Sequence, residues 1–154
     1  MARVPADRPF FLDIFPVTWD RWLRRFDDDL PPCIDPLCPR TGVEHKRAEA
    51  FAKNVGKRLP TAAEFHFAWG DRRFPWGDGP HPQMGRVRPP RFDEIPEVGL
   101  YPPNENGLYD MGAWLWHWTH DGKLSGGSEE TPSCVNAEPN ESIIPFGFRL
   151  AQDG

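Results

Sequence analysis

The sequence predicts one α+β domain of two to three short helices and short strands, joined by long, ordered loops. Three observations carry this. The chain has 154 residues, enough for one core and too few for two. It contains 19 prolines, and a residue that fixes φ and lacks an N–H shortens both helices and central strands. It also contains 7 tryptophans, aromatic surface that a disordered chain lacks and that a fold has to bury.

Phe10-Phe-Leu-Asp-Ile-Phe15 is an apolar run closed by Pro16 and reads as a buried strand. Thr18 can cap a first helix, in which Trp19, Trp22, Leu23 and Phe26 share one face while Arg21, Arg24 and Arg25 take the other. Asp27-Asp-Asp largely cancels those arginines, so that face reads as solvated. A Pro/Cys loop covers residues 31–42. A second helix runs from about Glu44 to Val55, with Ala48, Phe51, Ala52 and Val55 at helical spacing and Gly56 just past its end. Thr61-Ala-Ala-Glu64 is a capping box that opens a third helix, ending near Gly70. Residues 71–107 have little period, and a connection that long needs its own anchors. Trp114, Trp116 and Trp118 alternate with Leu115, His117 and Thr119, the period of a half-buried strand. Phe146-Gly-Phe-Arg-Leu-Ala151 reads as the last strand.

Charge and composition exclude several classes. The 18 basic and 23 acidic side chains leave a net charge of −5, which gives no general attraction to nucleic acid or anionic membrane. No apolar run approaches the roughly 20 residues that cross a bilayer. Met1 to Pro9 contains no apolar leader segment, so the expected location is cytoplasmic. Three cysteines do not make a disulfide scaffold.

Several segments, taken in order, resemble the formylglycine-generating enzymes, also called sulfatase-modifying factors. They are Phe15-Pro-Val-Thr18, Gly56-Lys-Arg-Leu-Pro-Thr-Ala-Ala-Glu64, Phe74-Pro-Trp-Gly-Asp78, Val98-Gly-Leu-Tyr-Pro-Pro-Asn104, Gly107-Leu-Tyr-Asp-Met111, Trp116-His-Trp-Thr119, Gly126-Gly-Ser128 and Gly147-Phe-Arg-Leu-Ala151. The resemblance covers about residues 10–151 of a single domain spanning 1–154. It implies a C-type-lectin-like fold with the first and last strands side by side. It also implies that Leu59, Trp76, Leu108, Tyr109, Trp116 and Phe148 are core residues. The glycine-rich hairpin that usually precedes the family's first strand is missing from this reading.

The family's chemistry is expected to be lost. Its enzymes bind copper through a cysteine pair just after the segment matched by Gly126-Gly-Ser128, and Cu(I) favours thiolates. Here only Cys134 follows. Cys33 and Cys38 have the pair's spacing but lie in another segment. The family's calcium site is also altered. Asp110 survives, but Trp114 stands where the family has Asn and His117 where it has Glu, and calcium wants oxygen ligands. No cofactor is therefore expected, with Asp110 and His117 the weak candidates for a metal. The reading for His117 itself is a histidine hydrogen-bonded among tryptophans. His66 takes a helix position where the family often has Glu, while His45 and His81 read as surface residues.

What remains is the expectation of a non-catalytic binding module. Residues 78–97 and 128–145 would form its variable surface, with Glu129, Glu130, Asn136, Glu138, Asn140 and Glu141 making it acidic and polar. Trp114 either joins that surface or fills the space of the lost calcium. The expected partner is a protein or peptide of basic character. Related lectin-like proteins diversified by retroelements vary their ligand in the same region. The alternative is a metal-dependent oxidoreductase of the formylglycine-generating and sulfoxide-synthase superfamily, with an altered site built from histidines or from Cys33, Cys38 and Cys134. A third reading is a subunit whose missing hairpin is supplied in trans.

Overall fold

The chain opens with a strand that its sequence pattern does not announce. In the computed structural model, which describes residues 1–72, 74, 95–112, 114–126, 133–135 (backbone alone) and 145–154, β1 (Ala2–Val4) pairs antiparallel with β2 (Phe10–Leu12). β2, read as the first strand, is thus the second arm of a hairpin that contains no glycine. Three residues against Pro5 are too few to leave a period.

β2 also pairs antiparallel with β7 (Ala151–Asp153), Leu12 facing Ala151, so the first sheet runs β1-β2-β7. The two end segments pair as expected, but the last strand is differently placed. The run from Phe146 splits into β6 (Phe146–Gly147), an irregular stretch at Phe148–Leu150, and then β7. Pairing continues through the irregular stretch: the Phe148 and Leu150 carbonyls accept from Val17 N and Asp13 N, each at 2.8 Å.

The three helices start where their caps stand. In α1 (Trp19–Leu23), Thr18 Oγ1 accepts from Arg21 N at 3.3 Å, and Trp19 and Trp22 are buried. The helix stops before Phe26, which nevertheless stacks on Trp22 at 4.5 Å. Asp28 secures this turn, accepting from Trp22 Nε1 at 2.7 Å and twice from Arg47 Nη2 at 2.9 Å. Those Arg47 hydrogen bonds hold the Asp28 carboxyl below its ordinary range. α2 (His45–Asn54) buries Ala48, Phe51 and Ala52, and Gly56 takes the left-handed φ of +70° beyond its end. α3 (Ala62–Trp69) carries the full capping box: Thr61 Oγ1 accepts from Glu64 N at 3.1 Å, and Glu64 Oε2 from Thr61 N at 2.8 Å.

The second sheet runs β5-β4-β3-β6, with β3 (Trp116–Trp118), β4 (Leu124–Gly126) and β5 (Ser133–Val135). β3 is antiparallel to β4 and parallel to β6. β3 is an inner strand, and the expected half-buried strand is buried on both faces at His117 and Trp118, with Trp116 half-buried. Trp118 enters a core with Trp22, Phe51 and Phe148, while His117 packs on the other side against Phe65, ring centroids 5.0 Å apart. Trp114 lies in a turn ahead of the strand. Of the family-motif residues, Leu59, Leu108 and Phe148 are fully buried, and Tyr109 and Trp116 are half-buried. Trp76 lies outside the described residues.

Candidate functional site

The sequence-predicted positions converge in part. Asp110 and His117 meet Arg149, a fully buried guanidinium just after β6, and Trp114 lies near Asp110. A buried cation needs acceptors for its N–H groups, and backbone supplies them. Nη1 donates to Asp13 O at 3.0 Å and Ile14 O at 3.4 Å; Nη2 donates to Tyr109 O at 2.6 Å and Asp110 O at 3.1 Å. Arg149 thus ties the segment after β2 to the turn at 109–110. Burial pulls its pKa down to about 10, and it remains a cation at neutral pH.

His117 is the imidazole on this cluster. Arg149 can only donate, so the contact of Nη2 with His117 Nε2 at 3.3 Å makes Nε2 the acceptor and places the ring proton on Nδ1. Complete burial, reinforced by the Arg149 charge, pushes His117 well below its ordinary value and keeps it neutral. Nδ1 is buried and meets no acceptor in hydrogen-bond geometry, although the Leu115 carbonyl is near enough to favour its proton. It lies beside bare Gly126, where an added Cβ would come within 2.9 Å of Leu115 O, 3.3 Å of Met111 O and 3.7 Å of Nδ1.

Asp110 is buried in the left-handed region at φ +53°. Its Oδ2 accepts from Gly99 N at 2.8 Å, and its Oδ1 has no partner. Burial raises its pKa; the Gly99 hydrogen bond and the Arg149 charge oppose that shift. Trp114 is 4% exposed and packs with Leu115, so it belongs to the interior rather than to a ligand-facing loop. Its indole N–H helps Asp110 without meeting hydrogen-bond geometry.

This donor set fits calcium poorly. Asp110 keeps one free carboxylate oxygen, but position 114 offers an indole and position 117 a nitrogen whose lone pair faces a guanidinium. Among the described residues, no group of three His, Cys, Asp or Glu side chains is placed to hold a metal. Cys33 is exposed and Cys38 is buried, its Sγ donating to Ile95 O at 3.4 Å. Burial, with the Asp35 and Glu97 carboxylates nearby, pushes the Cys38 thiol up and away from the thiolate that a copper site uses. Cys134 is described in backbone alone, opposite Ser125 in β5. Glu129, Glu130, Asn136, Glu138, Asn140, Glu141 and His81 lie outside the described residues.

Two contributors escaped sequence reasoning. Asn104 binds both ends of a loop: its Nδ2 donates to Ala68 O at 2.7 Å, and its Oδ1 accepts from Asn106 N and Leu108 N at 3.0 Å. Its only signal was its place in a matched motif. His45, read as a surface residue, is half-buried: its Nε2 lies 2.8 Å from Thr119 O and its ring meets the edge of Trp118.

Paired end segments, two small sheets and a buried arginine joining them define a C-type-lectin-like domain. The chain belongs to the sulfatase-modifying-factor family: residues 2–153 match the sulfatase-modifying factor enzyme 1-like domain. It is 31% identical over 104 residues to the formylglycine-generating enzyme of Streptomyces coelicolor, covering 56% of this chain and 33% of that one. It is 30% identical over 96 residues to the inactive C-alpha-formylglycine-generating enzyme 2 of Bos taurus, covering 53% and 32%. The fold is shared with variable protein 1 of Treponema denticola at a TM-score of 0.67 and 15% identity, covering 100% of this chain and 92% of that one. The chain spans about a third of the length of these two enzyme relatives. Among the described residues no helix is long and apolar enough to cross a membrane.

Proposed function

We propose that this protein is a non-catalytic binding module that recognises a protein or peptide of basic character, in the cytoplasm, through its C-terminal loops. One observation supports the reading: two positions of the family's calcium site are absorbed into packing. His117 spends its lone pair on Arg149, and Trp114 is buried. A retained packing skeleton with altered calcium positions is what a scaffold kept for display would have. The likeness to a relative named as inactive, and to the fold of a protein named as variable, agrees with this reading. Retroelement-driven variation of the loops is the narrower form of the same proposal.

The recognition surface we propose contains Glu129, Glu130, Asn136, Glu138, Asn140 and Glu141. Affinity capture of the natural partner, repeated with Glu129, Glu130, Glu138 and Glu141 replaced by Ala, tests it. Lost recovery at an unchanged melting temperature supports the surface, and unchanged recovery removes it. Metal analysis of protein purified without chelator tests the alternative, because stoichiometric copper or iron would mark an oxidoreductase.

A further inference from the structure

We propose that the apolar ridge of Phe15, Leu37 and Leu100 docks a protein segment that presents large apolar side chains beside Lys or Arg. The inference does not rest on the C-terminal loop surface. The three side chains are 39%, 52% and 62% exposed, and none belongs to a core cluster of the described residues. Large apolar groups left together in water mark a contact surface more often than isolated ones do.

The three come from distant parts of the chain and are gathered by residues 98–100. Val98 N donates to Leu37 O at 3.1 Å. The Phe15 ring lies on the bare Cα of Gly99, where an added Cβ would stand 2.8 Å from Cε1. Gly99 takes φ +77°, and its N–H is fastened to buried Asp110. The backbone that carries the ridge is therefore held in place by hydrogen bonds, and a preformed surface loses less entropy on binding.

Charge selects the occupant. Asp35 and Glu97 both lie near Cys38, one residue from Leu37, close enough for their charges to act on its thiol. Asp35 also accepts from Leu37 N at 2.8 Å. Among the described residues neither carboxylate is in an ion pair. A second copy docked about a two-fold axis would set these carboxylates against their own kind. Anionic lipid would meet the same repulsion. A basic and apolar segment satisfies both features of the ridge.

A random-peptide phage library panned on the full chain is the probe, with enriched peptides resynthesised for titration. We expect them to combine Leu, Phe or Trp with Lys or Arg. Their affinity should fall at least about tenfold on Leu37→Asp/Leu100→Asp and on Asp35→Lys/Glu97→Lys. It should hold on the variant with Glu129, Glu130, Glu138 and Glu141 replaced by Ala, which separates this ridge from the loop surface. If the double apolar variant melts early, Leu100→Asp alone takes its place. Equal binding to wild type and ridge variants overturns the proposal, as does a failure to enrich any peptide. A wild-type dimer in sedimentation that Leu100→Asp dissolves overturns it too, since a second copy would then be the occupant.

Discussion

Arg149 donates to His117 at 3.3 Å inside the protein, with both side chains fully buried. A permanent cation next to an imidazole makes a second positive charge there costly. The pair therefore links the stability of the fold to proton binding.

His117 is pushed well below 6.5 in the folded state, so the unfolded chain binds its proton more readily. Stability should hold above pH 6.5 and decline as the pH falls below it. Asp110 acts the other way: its carboxyl is raised above 3.8, so acid in the carboxylate range favours the folded form at that site. Urea denaturation from pH 7.5 to 5 should show a falling midpoint, with a shallower fall in His117→Phe. A midpoint independent of pH over this range would contradict a neutral buried His117.

Replacing Arg149 with Met should be severe. It strips donors from the carbonyls of Asp13, Ile14, Tyr109 and Asp110 at once. A buried acceptor left unpaired typically costs about 1–3 kcal/mol, and several are stranded here. Arg149→Lys should recover little of this, because one ammonium cannot span both sides of the fork. Equilibrium unfolding measures both, and a loss under about 1 kcal/mol for Met would show that the tie is dispensable.

Thr61→Ala should cost about 1 kcal/mol, the usual worth of an N-cap hydroxyl. The box is reinforced from outside, since Arg58 forks onto Glu64 at 2.7 Å and reaches Asp153 at 2.7 Å. Losing the cap should therefore also speed amide exchange at Ala151–Asp153, read by mass spectrometry. Exchange confined to α3 would show that the two ends of this network are uncoupled.

Calcium should leave the melting temperature unchanged. A ligand that binds only the native state stabilises it by RT ln(1+[L]/Kd). Melting curves in millimolar calcium and in chelator should superimpose, and an upward shift with calcium would restore the site at Asp110.

The legible parts of the fold were those with local signatures. Thr61 and Glu64 announce α3 because their bonds close within one turn. Thr18 and Gly56 mark the ends of their helices in the same way. The ordered motifs supplied the pairing of the two end segments. What stayed hidden depends on partners far along the chain. Nothing near Arg149 tells that four distant carbonyls await it. The split between β6 and β7 follows from two different sheets competing for one short run. His117 was legible as a packed histidine, but Arg149 as its partner was not. The alternation at Trp114 did not tell loop surface from interior, because its burial depends on the turn before β3.

The sheet β1-β2-β7 joins residues separated by about 140 positions, Phe10–Leu12 with Ala151–Asp153. Closing so large a loop is slow, because its entropy is lost before the contact is gained. As the chain is made, β2 follows β1 closely, and one edge of β2 has no neighbour until β7 has emerged. The nascent domain thus carries an open strand edge until β7 is made, and premature termination anywhere before it leaves that edge available to other chains.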